Sequence, residues 1–572
     1  MEKLLFGAGF SSIGRPLRIL FGYRPAEFGT VLKYGEFPDE SFYVTELRAE
    51  FFDSTRRDPV MTSLGCDVVG AVCPFPDLNH GPSILAGCTK RVAAKMPEMN
   101  KATLRRFKRF VKRYRETFLQ HLTIDSNEEF DFEEWITNAP YTQSRKNELR
   151  RVKEEGLSKK PNIKVKAFIK REFYPLPKHL RGIYSRHDDY KVRVGPYYKI
   201  FGDKLFSGKH FIKKIPGPER PQALLDKLGK FKKIFCTDFS QYEATFVSKL
   251  FSIELDMYRW SLRNHPRQKE IVDLLSLSTK TNNIHFKTFS CRLRAKRMSG
   301  EMNTSCGNGL MNLLITMFVL QEAGNDLEKV DGYFEGDDGI VGCTFVPTAA
   351  QYSELGAIIK IEIPNSISEA SFCGNIFDQE ALHNVTNPKE ASVCFGWTDI
   401  KYANSGDDVK LMLLRSKGLS MLYEFPGCPI LRSLAMFAIR NTASVVSSAS
   451  KRLKFSKFVV THAESSYHVD KAVRALENDI RINVDIHDNT RALVHRLYGI
   501  DGPKQIELEK YLDNLNEIVP LNLDLAYDPS WYKMANEYIV DSPGGRAGVS
   551  FVKTGYTTLA YLQDDFLSVY RH

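Results

Sequence analysis

Residues 330–345 read Val330-Asp331-Gly332-Tyr333-Phe334-Glu335-Gly336-Asp337-Asp338-Gly339-Ile340-Val341-Gly342-Cys343-Thr344-Phe345, and this stretch decides the fold. Two aromatic and β-branched runs flank a glycine-containing acidic turn, the pattern of a β-hairpin. Gly336 and Gly339 suit the backbone angles of a tight turn, so the spacing predicts Asp337 and Asp338 projecting from its tip. Tyr333, Phe334, Ile340 and Val341 make the hairpin too apolar for the surface. Two acids at the tip of a buried hairpin require cations.

Two upstream segments bear on the same chemistry. Residues 232–239 read as a short strand that places Asp238 near its end, within Asp238-Phe239-Ser240-Gln241-Tyr242-Glu243. Residues 297–317 open as a loop at Ser299-Gly300 and become a helix with Thr304 and Asn308 on one face. Gly300, Gly307 and Gly309 are costly near a helix start, which predicts close approach of another backbone such as a nucleic-acid strand. If the strands are neighbours in one sheet, Asp238 and Asp337 converge. Two or three aspartates suffice to hold two Mg²⁺ (or Mn²⁺) ions about 3.5–4 Å apart for transfer of a nucleotide to a 3′-hydroxyl. Each segment alone is an ordinary turn, strand or capped core helix. Together they supply what template-directed nucleotidyl transfer needs.

In this order the segments resemble the motifs of viral RNA-dependent RNA polymerases of positive-strand RNA viruses, in the tombusvirus-like and nodavirus-like group. Asp238 and Glu243 match motif A. Ser299, Gly300, Thr304 and Asn308 match motif B, and Gly336-Asp337-Asp338 matches motif C. Leu355-Gly356-Ala357-Ile358-Ile359-Lys360 resembles motif D and Ser371-Phe372-Cys373-Gly374 motif E. Phe168-Ile169-Lys170-Arg171-Glu172 with Arg181-Gly182-Ile183-Tyr184-Ser185-Arg186 resembles motif F. The likeness covers roughly residues 90–435. It implies that Asp238, Asp337 and Asp338 hold the metals and that Lys360 protonates the leaving pyrophosphate. Glu243, Ser299, Gly300, Thr304 and Asn308 would check the ribose, and Lys170 and Arg181 would hold the triphosphate. Lys164, Lys166, Arg186, Phe372, Cys373 and Gly374 would contact RNA. Many relatives have aspartate where this chain has Glu243. Reverse transcriptases usually place a bulky aromatic there, so an acceptor at this position favours a ribonucleotide.

The implied fold is α+β, a right hand whose antiparallel palm sheet is backed by helices. Residues 91–230 and 255–297 would form the fingers, 231–254 and 298–377 the palm, and 378–572 the thumb and C-terminal region. Residues 1–90 would be a winding N-terminal extension. Expected partners are template and nascent RNA and nucleoside triphosphates, with other viral replication proteins and host membranes reached through partners. The implied location is membrane-associated replication complexes in the host cytoplasm. A reverse transcriptase and a non-catalytic RNA-binding or capsid protein remain the competing readings.

Charge supports a polyanionic partner without the resemblance. Between Arg145 and Arg186 stand fourteen Lys/Arg against four acids, and the whole chain of 572 residues carries a net charge of +11. Lys164, Lys166, Phe168 and Lys170 alternate along one face of a predicted strand. Residues 101–122 read as a helix with Leu104, Phe107, Phe110, Val111, Tyr114, Phe118 and Leu122 on one stripe and arginines and lysines on the remainder. Residues 210–220 read as a connector before the Asp238 strand. Ten scattered cysteines with no Cys-x-x-Cys pair argue against a zinc module or a disulfide framework and fit a reducing compartment. No apolar run reaches membrane-spanning length. Residues 1–10 have only a faint signal-peptide character and are read as part of the fold.

Overall fold

The structure, a computed structural model, describes residues 38–51, 61–71, 78–79, 81–174, 179–462, 469, 473 and 484–527. Residues 1–10, Cys73, Lys178 and residues 528–572 lie outside the described residues.

A five-stranded sheet joins β1 (Tyr43–Leu47), β3 (Val165–Ile169), β4 (Gly182–Arg186), β6 (Thr281–His285) and β7 (Phe289–Arg294) in the order β1-β7-β6-β3-β4. All its pairs are antiparallel except β3 with β6. A four-stranded antiparallel sheet joins β5 (Ile234–Ser240), β8 (Asp331–Glu335), β9 (Asp338–Gly342) and β10 (Ile358–Glu362) in the order β10-β5-β9-β8. Two short pairs complete the strands, β2 (Met61–Ser63) with β13 (Trp397–Asp399) and β11 (Ile376–Asp378) with β12 (His383–Val385). The described residues thus mix helix and sheet as an α+β arrangement.

The four-stranded sheet is buried on both faces because its strands alternate two apolar sets. Phe235, Phe239, Phe334 and Val341 join the largest core. Ile234, Cys236, Tyr333 and Ile340 join a second cluster with Leu224, Leu228 and Phe372. The largest core also encloses a helix, α5 (Thr304–Glu322), buried at every position from Cys306 to Leu320. A helix apolar on all sides has no solvent face to offer, so it runs through the interior.

Around it pack α1 (Lys101–Phe118), α2 (Asp188–Phe206), the single turn α3 (Tyr242–Thr245) and α4 (Ser248–Ser261). Asn100 caps α1 by accepting from the backbone N–H of Ala102 and Thr103. The predicted apolar stripe of α1 is buried from Leu104 to Tyr114, and Leu122 follows in a short 3₁₀ turn. The connector before β5 contains a 3₁₀ turn, Gly217–Glu219, and a helix, Arg220–Leu228. Helices Asp407–Glu424, Leu431–Asn441, Asp488–Tyr498 and Gly502–Asn514 pack around a separate apolar cluster near the C-terminus.

The described part of residues 1–90 is built into the fold. β1 adds an edge to the five-stranded sheet, β2 pairs with β13, and Val68 bridges to Leu521. Phe42, Phe51, Leu64, Cys66 and Val68 are buried there, where the sequence offered only a winding extension.

Candidate active site

The turn between β8 and β9 is tighter than the sequence predicts. Glu335 pairs with Asp338, leaving Gly336 and Asp337 as the two central residues. Gly336 has φ 59°, the left-handed value that a two-residue hairpin places on glycine. Asp338 is therefore the first residue of β9 and Gly339 lies inside the strand. Gly339 is required for closeness, not for its φ: a Cβ there would sit 2.7 Å from Thr237 Oγ1 and 3.1 Å from the Phe334 ring.

Register then aligns the acids. Cys236 pairs with Ile340, and two residues toward the turn, on the same face, stand Asp238 and Asp338. Lys360 is opposite Asp238 on β10, and Glu335 is opposite Asp338 on β8. One row across the sheet thus reads Lys360, Asp238, Asp338, Glu335, with Asp337 at the turn beside it. After β5, Gln241 adopts the left-handed φ of 49° and turns the chain into α3, which carries Glu243 back toward Asp337. Sequence reasoning missed this bend, because a non-glycine residue gives no signal of positive φ.

The electrostatics of the row follow from crowding like charges. Burial, followed by Asp337, Asp238 and Glu335, pushes the Asp338 carboxyl up to about 7. Asp337 is exposed at the turn, yet the surrounding chain still costs it hydration. That loss and the nearby Glu243 raise its pKa, and Arg181 opposes the rise. Glu335 Oε2 is buried without a hydrogen-bond partner. Like charges on facing strand positions repel, and an orphaned carboxylate oxygen adds to the deficit. The donor set of hard carboxylate oxygens therefore suits a divalent cation such as Mg²⁺. Among the described residues, no three His, Cys, Asp or Glu side chains stand close enough together to enclose one.

The loop before α5 docks onto protein. Ser299 Oγ donates to Gly182 O (2.8 Å) and the Gly300 N–H to Tyr184 O (3.1 Å). A Cβ at Gly300 would meet that same Tyr184 oxygen at 2.8 Å. At Gly307 it would meet Glu254 and Arg297, and at Gly309 the Phe211 ring. The close approach predicted for these glycines is thus made by the chain's own groups, not by a nucleic-acid strand. Thr304 Oγ1 donates to the carbonyls of Met298 and Glu301, shaping the start of the helix.

Beneath the loop lies a fully buried polar network that the sequence did not announce. Arg297, with 0% of its surface exposed, donates to Glu254 Oε2 (2.6 Å) and to Asn308 Oδ1 (3.1 Å). Asn303 and Tyr258 complete the bonding of Glu254. Asn308 Nδ2 and the Glu243 carboxylate make no hydrogen bond with protein among the described residues, and Tyr242 Oη holds the backbone carbonyl of Asn308. Asn312, one turn further along α5, donates to Gly336 O (3.2 Å) and Asp338 O (3.1 Å) and so ties the helix to the acidic turn. Thr316 donates to its oxygen and Tyr352 to Thr316.

The expected basic residues divide. Lys164, Lys166 and Phe168 are exposed as the alternation of β3 predicts. Lys170 and Arg181 share one carboxylate, Glu172, at 2.9 and 3.4 Å. Arg186 does not reach an RNA-facing surface. It is 2% exposed and bonds Glu301, Asn282 and the carbonyls of Ile163 and Ser278, so its role is to hold the core. Phe372 is likewise buried in the cluster beneath the sheet. Cys373 (φ 54°) and Gly374 (φ 77°) form a two-residue turn closed by Phe372 and Asn375, which brings the Cys373 thiol to Asp338. Lys360 is exposed and paired with Glu362, which raises its pKa. A cavity of about 580 Å³ opens beside β3, away from the acidic row. It is lined by Lys166, Phe168, Arg171, Lys191 and Lys287 among others.

The chain that carries this acidic hairpin matches a recognised family. The family model described as viral RNA dependent RNA polymerase matches residues 88–519, and the chain belongs to that family. The chain is similar to the RNA-directed RNA polymerase of Turnip crinkle virus, at 23% identity over 411 residues, covering 65% of this chain and 48% of the relative. It is also similar to that of Panicum mosaic virus (strain United States/Kansas 109S), at 26% over 391 residues, covering 61% and 36%. A third relative is that of Melon necrotic spot virus, at 25% over 331 residues, covering 52% and 40%. The matches span less than half the length of these curated relatives.

Proposed function

We propose that this chain is an RNA-dependent RNA polymerase that copies a viral RNA genome from nucleoside triphosphates. The observation that carries the reading is the cross-sheet row of Asp238, Asp338 and Glu335, with Asp337 and Arg181 beside it, in a chain of this family. Asp238, Asp337 and Asp338 would hold two Mg²⁺ or Mn²⁺ ions. When bound, these supply activation of the attacking 3′-hydroxyl and neutralisation of the leaving pyrophosphate.

The chain's own groups do the rest. Lys170 and Arg181, kept together by Glu172, exchange that carboxylate for the triphosphate. Glu243 and Asn308 Nδ2, both without protein partners among the described residues, read the ribose hydroxyls, and a site built to pair a hydroxyl rejects a sugar lacking it. Ser299, Gly300 and Thr304 hold the loop that positions Asn308. Lys360, opposite Asp238, donates the proton to pyrophosphate. Lys164, Lys166 and the turn at Cys373-Gly374 face the RNA.

In this reading the four-stranded sheet with α5 is the palm (231–254, 298–377). The five-stranded sheet with its helices forms the fingers (91–230, 255–297), to which the N-terminal region adds the edge strand β1, and 378–572 form the thumb and C-terminal region. The partners are template RNA, nascent RNA and nucleoside triphosphates. Other replication proteins bring the enzyme to membrane-associated complexes in the host cytoplasm.

The test is incorporation of labelled ribonucleotides on an RNA template by the purified chain. Joint replacement Asp337→Ala and Asp338→Ala lowers incorporation on the order of a thousandfold or more while RNA binding persists. Retained synthesis would remove these carboxylates from the mechanism. A preference for deoxynucleotides would turn the reading toward reverse transcription.

A further inference from the structure

The outer face of α1 carries Lys101, Arg105, Lys108, Arg109, Lys112 and Arg113, all exposed. None of these side chains makes an ion pair or hydrogen bond among the described residues. The flanking Arg106 and Arg115, by contrast, pair with Glu322 and Asp256. Like charges spaced four apart on a helix oppose its formation by a few tenths of a kcal/mol per pair, and cations near the N-terminus oppose the helix dipole. No acid stands in the first turn to offset them. A stripe that weakens its own helix and finds no intramolecular counter-charge is complementary to a polyanion.

We propose that this face of α1 is a docking surface for the phosphate backbone of RNA, separate from the acidic cleft. Arg105, Arg109 and Arg113 form a line at four-residue spacing, about 6 Å of rise per step, and each guanidinium can take a phosphate through two parallel hydrogen bonds. An anionic membrane is the weaker fit. Leu104, Phe107, Phe110, Val111 and Tyr114 are all turned into the core, leaving no apolar face to insert among lipids. The surface is remote from the chemistry. Phe107 and Phe110 pack on Phe318, with ring centroids at 5.2 and 5.5 Å, and Phe318 lies six residues along α5 from Asn312, which holds the acidic turn, roughly 9 Å; the exposed face of α1 lies across that helix's own width of about 10 Å from this contact. RNA held here is outside the strand segment being copied.

The test uses the full chain with Arg105→Gln, Arg109→Gln and Arg113→Gln together, beside a control carrying lysine at the same three positions. Binding of a labelled mixed-sequence single-stranded oligoribonucleotide is measured across a series of potassium chloride concentrations, without nucleotides. The glutamine variant is expected to reduce the slope of log affinity against log salt by about 2 (about 0.7 for each phosphate left without its arginine). The lysine control retains the slope, and thermal melting of both matches the parent. Incorporation at saturating template is unchanged, since none of the three residues lies in the cleft. An unaltered slope in the glutamine variant overturns the proposal. So does loss of co-sedimentation with phosphatidylserine-containing vesicles while the RNA slope stays constant, which would assign the stripe to a membrane. Because the readout needs no nucleotide addition, failure to polymerise and failure to dock RNA on α1 are separate results.

Discussion

Asn312 shows how a neutral residue can govern charged ones. Its amide nitrogen bonds the carbonyls of Gly336 and Asp338, the residues on either side of Asp337, and its oxygen is fixed by Thr316. Removing both donors strands two carbonyls and frees the turn, at about 1–3 kcal/mol. Asn312→Leu, which keeps the volume, is therefore expected to lower kcat on the order of tenfold while template affinity stays constant. A variant with parental kcat would show that the turn holds itself. His210 supports the other end of the hairpin: its Nδ1 donates to Gly332 O and its backbone carbonyl accepts from Phe334 N–H. Burial, with Lys209 and Lys227 nearby, lowers its pKa to about 4, only partly countered by the Gly332 bond and Asp331. The unfolded chain takes up this proton near pH 6.5, so between about 6.5 and about 4 it binds more protons than the folded one. Stability falls as pH drops through that window, by up to about 1.4 kcal/mol per unit. His210→Asn retains a donor and should flatten this limb in denaturant midpoints recorded across the range; parallel curves for variant and parent would acquit the histidine.

At the scale of elements, α5 and the hairpin explain what was legible. The β-branched and aromatic runs in 330–345 and 232–239 made both strands legible, while the neighbourhood of their acids stayed conditional on a pairing that only the sheet register supplies. The sequence did not reveal which groups crowd the glycines of α5, because that depends on contacts far along the chain. Glu254 on α4 and Arg297 before α5 meet across forty-three residues, and neither lies in a patterned segment. The same remoteness hid the burial of Arg186, since a basic run reads alike whether its members face solvent or a buried glutamate. The element-scale consequence is a reversal of helix propensity. Alanine normally favours a helix over glycine by about 1 kcal/mol. At Gly307, though, a Cβ would lie 2.7 Å from Glu254 Oε1 and 2.8 Å from Arg297 Nη2, in a pair too buried to yield. Gly307→Ala is expected to destabilise by about 2–3 kcal/mol. Gly502→Ala, at the open start of its helix with nothing within 4 Å, gains up to about 1 kcal/mol. Melting temperatures of the two variants should move in opposite directions; a shared direction would mean the buried pair gives way.

For the molecule as a whole, charge and length pointed to a large basic protein with a polyanionic partner, and family and site agree with that. The sequence was silent on how the N-terminal region is used, because strands as short as β1 and β2 leave almost no periodic trace. Their partners, β7 and β13, lie more than two hundred residues away. The bridge from Val68 to Leu521 has a consequence for how the chain is made. Once made, Val68 must wait for some 450 more residues before its mate exists, about 20–90 s at ordinary speeds of translation. Throughout that interval Val68 has no mate for its bridge, and the clasp closes only once Leu521 has been made. A chain interrupted anywhere between the two positions therefore stays unlatched.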